Sequence, residues 1–112
     1  MQKIPKCDAH RYLCTSETNL KKLENDGKVK TEWDDASGEY QYTQSSLMQA
    51  AKDGGFQTYQ DLSNKLNDIY MSSEAWNLDK DVFDTFVTLI RVIGEKIKES
   101  NTISLYYNNK VR

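Results

Sequence analysis

The stretch DAHRYLCTSETNLKKLENDGKV, residues 8–29, holds two short helical patterns separated only by LCTS. In the first, Ala9, Tyr12 and Leu13 fall on one face, and Asp8 suits the positive end of the helix dipole. In the second, Leu20 and Leu23 are spaced i, i+3. Ser16 is a natural N-cap for that helix, with Glu17 favourable beside it. Gly27 is a natural terminator, because it accepts the left-handed conformation that ends helices. A helix stopped after two turns and restarted at once is the pattern of a helix-turn-helix.

Working outward, the residue before Pro5 is expected to be extended. Downstream, Val29, Thr31 and Trp33 alternate with Lys28, Lys30 and Glu32; DDASG turns the chain, and Tyr40 and Tyr42 alternate with Glu39 and Gln41. This predicts a short β-hairpin. Thr43 is placed to cap a helix over SLMQAAK, closed by the DGG of residues 53–55. Phe56 to Met71 reads as a further helix, with Tyr59, Leu62, Leu66, Ile69 and Tyr70 at helical spacing. SSEAWN is a connector expected to tuck Trp76 into the core. Residues 79–99 read as the longest helix, and Thr102 to Tyr107 as a strand-like run.

The chain has 112 residues, enough for one modest core. No apolar run approaches the roughly 20 residues of a membrane span, and the N-terminal residues lack the apolar core of a signal peptide. The expectation is a cytoplasmic protein with both cysteines reduced. The net charge of −2 conceals segregation: residues 1–30 balance to +3, residues 31–79 to −7, and residues 80–112 to +2. A basic segment of this kind suits a nucleic-acid surface, which needs local rather than total positive charge.

The order of helix, tight turn, helix, Gly-Lys-Val, two-stranded hairpin and capped helix resembles the MerR-like winged helix-turn-helix superfamily. It is most similar to the small excisionase-type DNA-binding domains of phages and mobile elements. The resemblance covers roughly residues 3–50 and rests on Ala9, Tyr12, Leu13, Ser16, Leu20, Leu23, Gly27, Lys28 and Val29, followed by GEYQYTQSSL at 38–47. It implies a winged helix-turn-helix region over 1–52; together with the helical patterns downstream, the chain reads as a mainly α fold with a helical extension over 53–112 packed on that region. The resemblance further implies that the helix from Ser16 to Asp26 enters the major groove of double-stranded DNA. Lys21, Lys22, Lys28 and Lys30 are then candidate phosphate contacts, helped by Arg11, while Thr18, Asn19 and Asn25 are candidates for base edges. Cys14 stands where the family's turn usually has glycine, and Tyr40 and Gln41 stand where its second wing strand usually has arginines.

Glu32, Asp34, Asp35 and Glu39 put four carboxylates on the hairpin, and each repels phosphate. They support a rival expectation: a protein-binding adaptor or inhibitor whose acidic, phosphate-mimicking surface meets a basic protein partner. The helix at 79–99 carries Phe83, Phe86, Val87, Ile90, Ile93 and Ile97 on one stripe, widened by Val82, Leu89 and Val92. That is a wider apolar face than a small core requires, and it predicts a dimerisation element and hence a homodimer. Cys7, His10 and Cys14 show C-x2-H-x3-C spacing without the second pair of ligands that a structural zinc site needs, so no metal is expected. No constellation of nucleophile, base and acid is present, and no enzyme or cofactor is expected.

Overall fold

The computed structural model describes residues 2–72 and 75–110. It is mainly helical, with five α-helices, one 3₁₀ turn and one three-stranded antiparallel sheet among the described residues. Strand β1 (Lys3–Ile4) leads into α1 (Lys6–Tyr12) and α2 (Glu17–Asn25). Strands β2 (Thr31–Asp34) and β3 (Glu39–Thr43) follow, then α3 (Gln44–Asp53), α4 (Tyr59–Met71) and α5 (Lys80–Lys110). The 3₁₀ turn, Ala75–Asn77, lies between α4 and α5. The sheet order is β1-β3-β2, with Ile4 opposite Tyr42 and Trp33 opposite Tyr40.

Helices α1 and α2 end in the same way. Beyond α1, the Cys14 N–H donates to the Arg11 carbonyl and the Thr15 N–H to the His10 carbonyl. Beyond α2, the Gly27 N–H donates to Glu24 and the Lys28 N–H to Leu23. Both are paired terminations that require one left-handed residue. Gly27 supplies it at φ 75°, and Cys14 does so at φ 57°, with the steric cost that a Cβ carries there. The turn thus keeps the glycine-type conformation without the glycine. Ser16 caps α2 by accepting from the Asn19 N–H, and Thr43 caps α3 by accepting from the Ser46 N–H.

One core gathers Ile4, Ala9, Tyr12, Leu13, Leu20, Leu23, Val29, Tyr42, Leu47 and Ala50 with Tyr107 from the far end of the chain. Ile103 and Phe56 pack against it half-buried. The Thr102–Tyr107 segment therefore differs from the strand expected there: it is the last part of α5. Ile103 and Tyr107 are i, i+4, so continuing the helix presents both to α1, and this packing overrides the β-propensity of the run. The Tyr107 hydroxyl donates to the Asp8 carboxylate at 2.6 Å, and its ring meets Tyr12 edge-on at 6.4 Å. The Ser104 hydroxyl donates to the Tyr12 carbonyl, and Arg11 pairs with Glu99 at 2.6 Å.

The other half of α5 leaves the core and pairs with α4 as a two-helix arm. The molecule measures 55 × 26 × 22 Å with a radius of gyration of 16.8 Å, against about 13 Å for a compact domain of this length. Helix α4 starts at Tyr59 rather than Phe56, because Thr58 and Asp61 form a reciprocal capping box. No residue of α4 is fully buried. Trp76, expected in the core, sits near the arm's tip, 64% exposed, against Tyr70 and Phe83.

Tyr107 should thus govern the stability of the N-terminal core. Tyr107→Ala should cost about 3–5 kcal/mol, as removal of a buried aromatic does. Tyr107→Phe should cost about 1.5–3 kcal/mol, the worth of a hydrogen bond to a charged group. Urea denaturation of both variants measures this directly; wild-type stability in Tyr107→Ala would contradict the docking of α5 on α1.

Candidate nucleic-acid interface

Helix α2 turns Leu20 and Leu23 into the core, which fixes which residues face outward. Thr18, Lys21, Lys22 and Asn25 are all exposed, spaced at i, i+3, i+4 and i+7 along one outward strip. Lys28 and Lys30 follow on the segment that enters the hairpin and are exposed as well. Lys22 and Lys28 border a cleft between α2 and the α3–α4 loop, completed by Gly55, Phe56 and Gln57. Lys28 and Lys30 border a second groove with Ser45, Ser46 and Gln49 at the start of α3. Lys21 lies on the other flank of α2, in a groove with Lys6, Glu17 and Glu24.

Two of the sequence candidates are engaged elsewhere. The Asn19 side-chain nitrogen donates to the Gln57 carbonyl at 3.2 Å and to the Thr15 hydroxyl at 3.1 Å. The Thr15 hydroxyl itself donates to the Gln57 carbonyl, and the Tyr59 N–H donates to the Cys14 carbonyl at 2.8 Å. Asn19 is thus a clasp between α2 and the loop entering α4, not a free base-reading amide. Its helical spacing puts it beside the exposed strip, and the loop that captures it comes from a segment 38 positions away. Arg11 is spent on Glu99 and Asp8.

Three of the four hairpin carboxylates, Glu32, Asp34 and Glu39, fall on one face of the sheet, and Asp34 there is already engaged. Asp34 accepts from the Ser37 N–H at 3.0 Å and pairs with Lys3 at 3.6 Å. The Ser37 hydroxyl, then the backbone and Lys3, hold its carboxyl below the usual range. Asp34 and Glu39 are cross-strand partners beside the turn that contains Asp35. Glu32 alone lines the groove with Lys28 and Lys30. Exposed Trp33 and Tyr40 pack edge-on across the strands at 5.2 Å.

Beneath α2 lie two polar groups that the sequence does not single out as linked. Burial pushes the Tyr42 phenol well up, and the Glu24 carboxylate that accepts its hydroxyl adds to this. His10 has a side chain 16% exposed, with Nε2 3.9 Å from Glu17 and a buried Nδ1 that finds no hydrogen-bond partner among the described residues. Burial pulls its pKa below 6.5, with Arg11 and Lys96 in the same direction and Glu17 and Glu99 opposing. Cys7 is exposed, Cys14 half-buried, and no group of three or more His, Cys, Asp or Glu able to hold a metal occurs among the described residues. Nor, among them, is any helix long and apolar enough to cross a membrane.

No family model, curated protein or solved structure matches this chain. The reading of the surface therefore rests on its own chemistry.

Two measurements probe this region. Asn19→Ala should lower stability by about 1 kcal/mol for the lost clasp, and should leave any sequence preference in DNA binding unchanged. For His10, the unfolded chain takes up its proton near the ordinary imidazole value of 6.5, while the folded chain resists protonation. Its contribution is therefore fully present above that value and declines as the pH falls below it. Urea melts between roughly pH 7 and pH 5 should show stability falling in wild type and a flatter profile in His10→Gln. Parallel profiles would contradict the burial of His10.

Proposed function

We propose that this protein is a small sequence-specific DNA-binding accessory or regulatory protein of the phage or mobile-element type. In this reading α1, α2 and the β2–β3 hairpin act as a winged helix-turn-helix, and α2 lies in the major groove of double-stranded DNA. The observation that carries it is the exposed strip Thr18, Lys21, Lys22 and Asn25 on a helix whose inner face is locked into the core. A rigid helix with outward cations and an amide has the form needed to bind phosphates and read base edges. Lys28 and Lys30 extend the positive surface toward the hairpin, where phosphates flanking the groove would pass. Asn25 carries the base reading, because Asn19 is tied to Gln57.

A second reading is favoured by the exposed Glu32, Asp35 and Glu39 of the hairpin. In it the protein is an adaptor or inhibitor that presents carboxylates to a basic protein partner. The pairing of Asp34 with Lys3, and the presence of Lys28 and Lys30 on the same groove as Glu32, offset part of that acidic face.

Salt-titrated anisotropy on mixed genomic DNA fragments separates the two. Lys21→Gln with Lys22→Gln should weaken binding to all sequences and reduce the salt dependence by about one unit per lost phosphate contact. Asn25→Ala should relax sequence preference, with a loss of about 1–3 kcal/mol confined to the preferred site. Glu32→Gln should strengthen binding modestly by removing repulsion. Unaltered DNA affinity in the lysine double mutant would refute the DNA reading, and abolition of capture by a basic partner in Asp35→Asn with Glu39→Gln would support its rival.

A further inference from the structure

The arm leaves a row of large apolar side chains exposed to water. Phe83, Phe86, Val87, Ile90 and Ile97 of α5 are half-buried and Ile93 buried, with the aromatic residues meeting Tyr70 of α4. A second stripe, Val82, Leu89 and Val92, is 51%, 46% and 47% exposed. At about 100° per residue, this stripe is rotated by about 100° from the first. Two apolar stripes at that angle are what a helix in a four-helix bundle carries, one for each neighbour. Helix α4 supplies one neighbour. Ile69, Trp76 and Leu78, toward the arm's tip, are exposed as well.

We infer that the missing neighbour is a second copy of this chain, whose arm packs antiparallel against the first to complete a four-helix bundle. Two properties of α5 select a second copy over an unrelated partner. The first is symmetry of the stripe. Val82 and Val92 are equidistant from residue 87, as are Thr85 and Leu89, so a two-fold axis there lays Val82 on Val92 and Leu89 on Thr85 of the second copy. Closed dimers use such self-complementary patches.

The second is charge. At about 100° per residue, Asp81 and Lys96 are the charged residues that flank the exposed stripe, one acidic near its N-terminal end and one basic near its C-terminal end. Antiparallel pairing about residue 87 brings Asp81 of each copy near Lys96 of the other, whereas parallel pairing sets like beside like. Lys96 continues the exposed stripe by helical spacing and falls opposite the Asp79–Asp81 region of the second copy.

Sedimentation velocity on the full chain without DNA tests this, so its outcome is independent of the proposed function. Wild type should sediment as a dimer. Leu89→Lys, a change at a half-exposed position, should weaken the dimer by about tenfold or more while leaving helicity by circular dichroism unchanged. Asp81→Lys and Lys96→Asp should each weaken it, and the two together should restore it, because antiparallel packing brings the exchanged charges back into opposition. A wild-type monomer at the highest soluble concentration would overturn the inference. So would a dimer indifferent to Leu89→Lys, or a charge exchange that adds the two losses.

Discussion

The hydrogen bond from the Tyr107 hydroxyl to the Asp8 carboxylate joins residues 99 positions apart, and the arrangement of the core depends on it. The ring behind that hydroxyl fills the space beside Tyr12, and the same turn of α5 brings Asn108 to accept from the Tyr12 hydroxyl at 2.8 Å and from Gln44 at 3.1 Å. Burial, then the neighbouring Asp8, push the Tyr107 phenol well up, which keeps its proton available for donation. A small core built from two short helices and a narrow sheet has little apolar area to spare. Covering it with the end of a 31-residue helix supplies that area and fixes α1, against which α2 is set.

Much of the N-terminal architecture was legible in the sequence because its signals are local. Ser16, Gly27 and Thr43 mark helix ends through bonds to residues within one turn, and the Leu20–Leu23 spacing sets the inner face of α2. The hairpin follows from alternation around a glycine turn. What could not be read depends on distant contacts. Tyr106 and Tyr107 in a β-branched, aromatic run look like strand until α1 is there to receive one face of a helix. Asn19 looks like a free polar residue until Gln57 arrives from the α3–α4 loop. Trp76 looks like core because of its size, and the arm that carries it away from the core is a tertiary fact.

The charge pattern divides in the same way. Of the basic residues in the first thirty, Lys3, Lys6 and Arg11 form ion pairs with Asp34, Glu24, Asp8 and Glu99. These pairs bind the sheet, the two short helices and α5 to one another. Lys21, Lys22, Lys28 and Lys30 keep exposed side chains on and just beyond α2. Of the seven cations in the first thirty residues, three are therefore held in ion pairs and four stay exposed, gathered on and just beyond α2. Surface pairs of this kind add little stability singly. Their larger effect is to determine which cations face outward.

Because α5 runs unbroken from the arm into the core, the two parts share one shaft with no linker between them. Their angular relation is set by residue count alone. Each residue added between Ile93 and Ser100 would turn the arm by about 100° about the helix axis and advance it by about 1.5 Å, whereas seven would return it nearly to phase. The length of that segment thus acts as a gear setting. It determines toward which side of α2 the exposed arm stripe looks, a form of specificity that no single side chain carries.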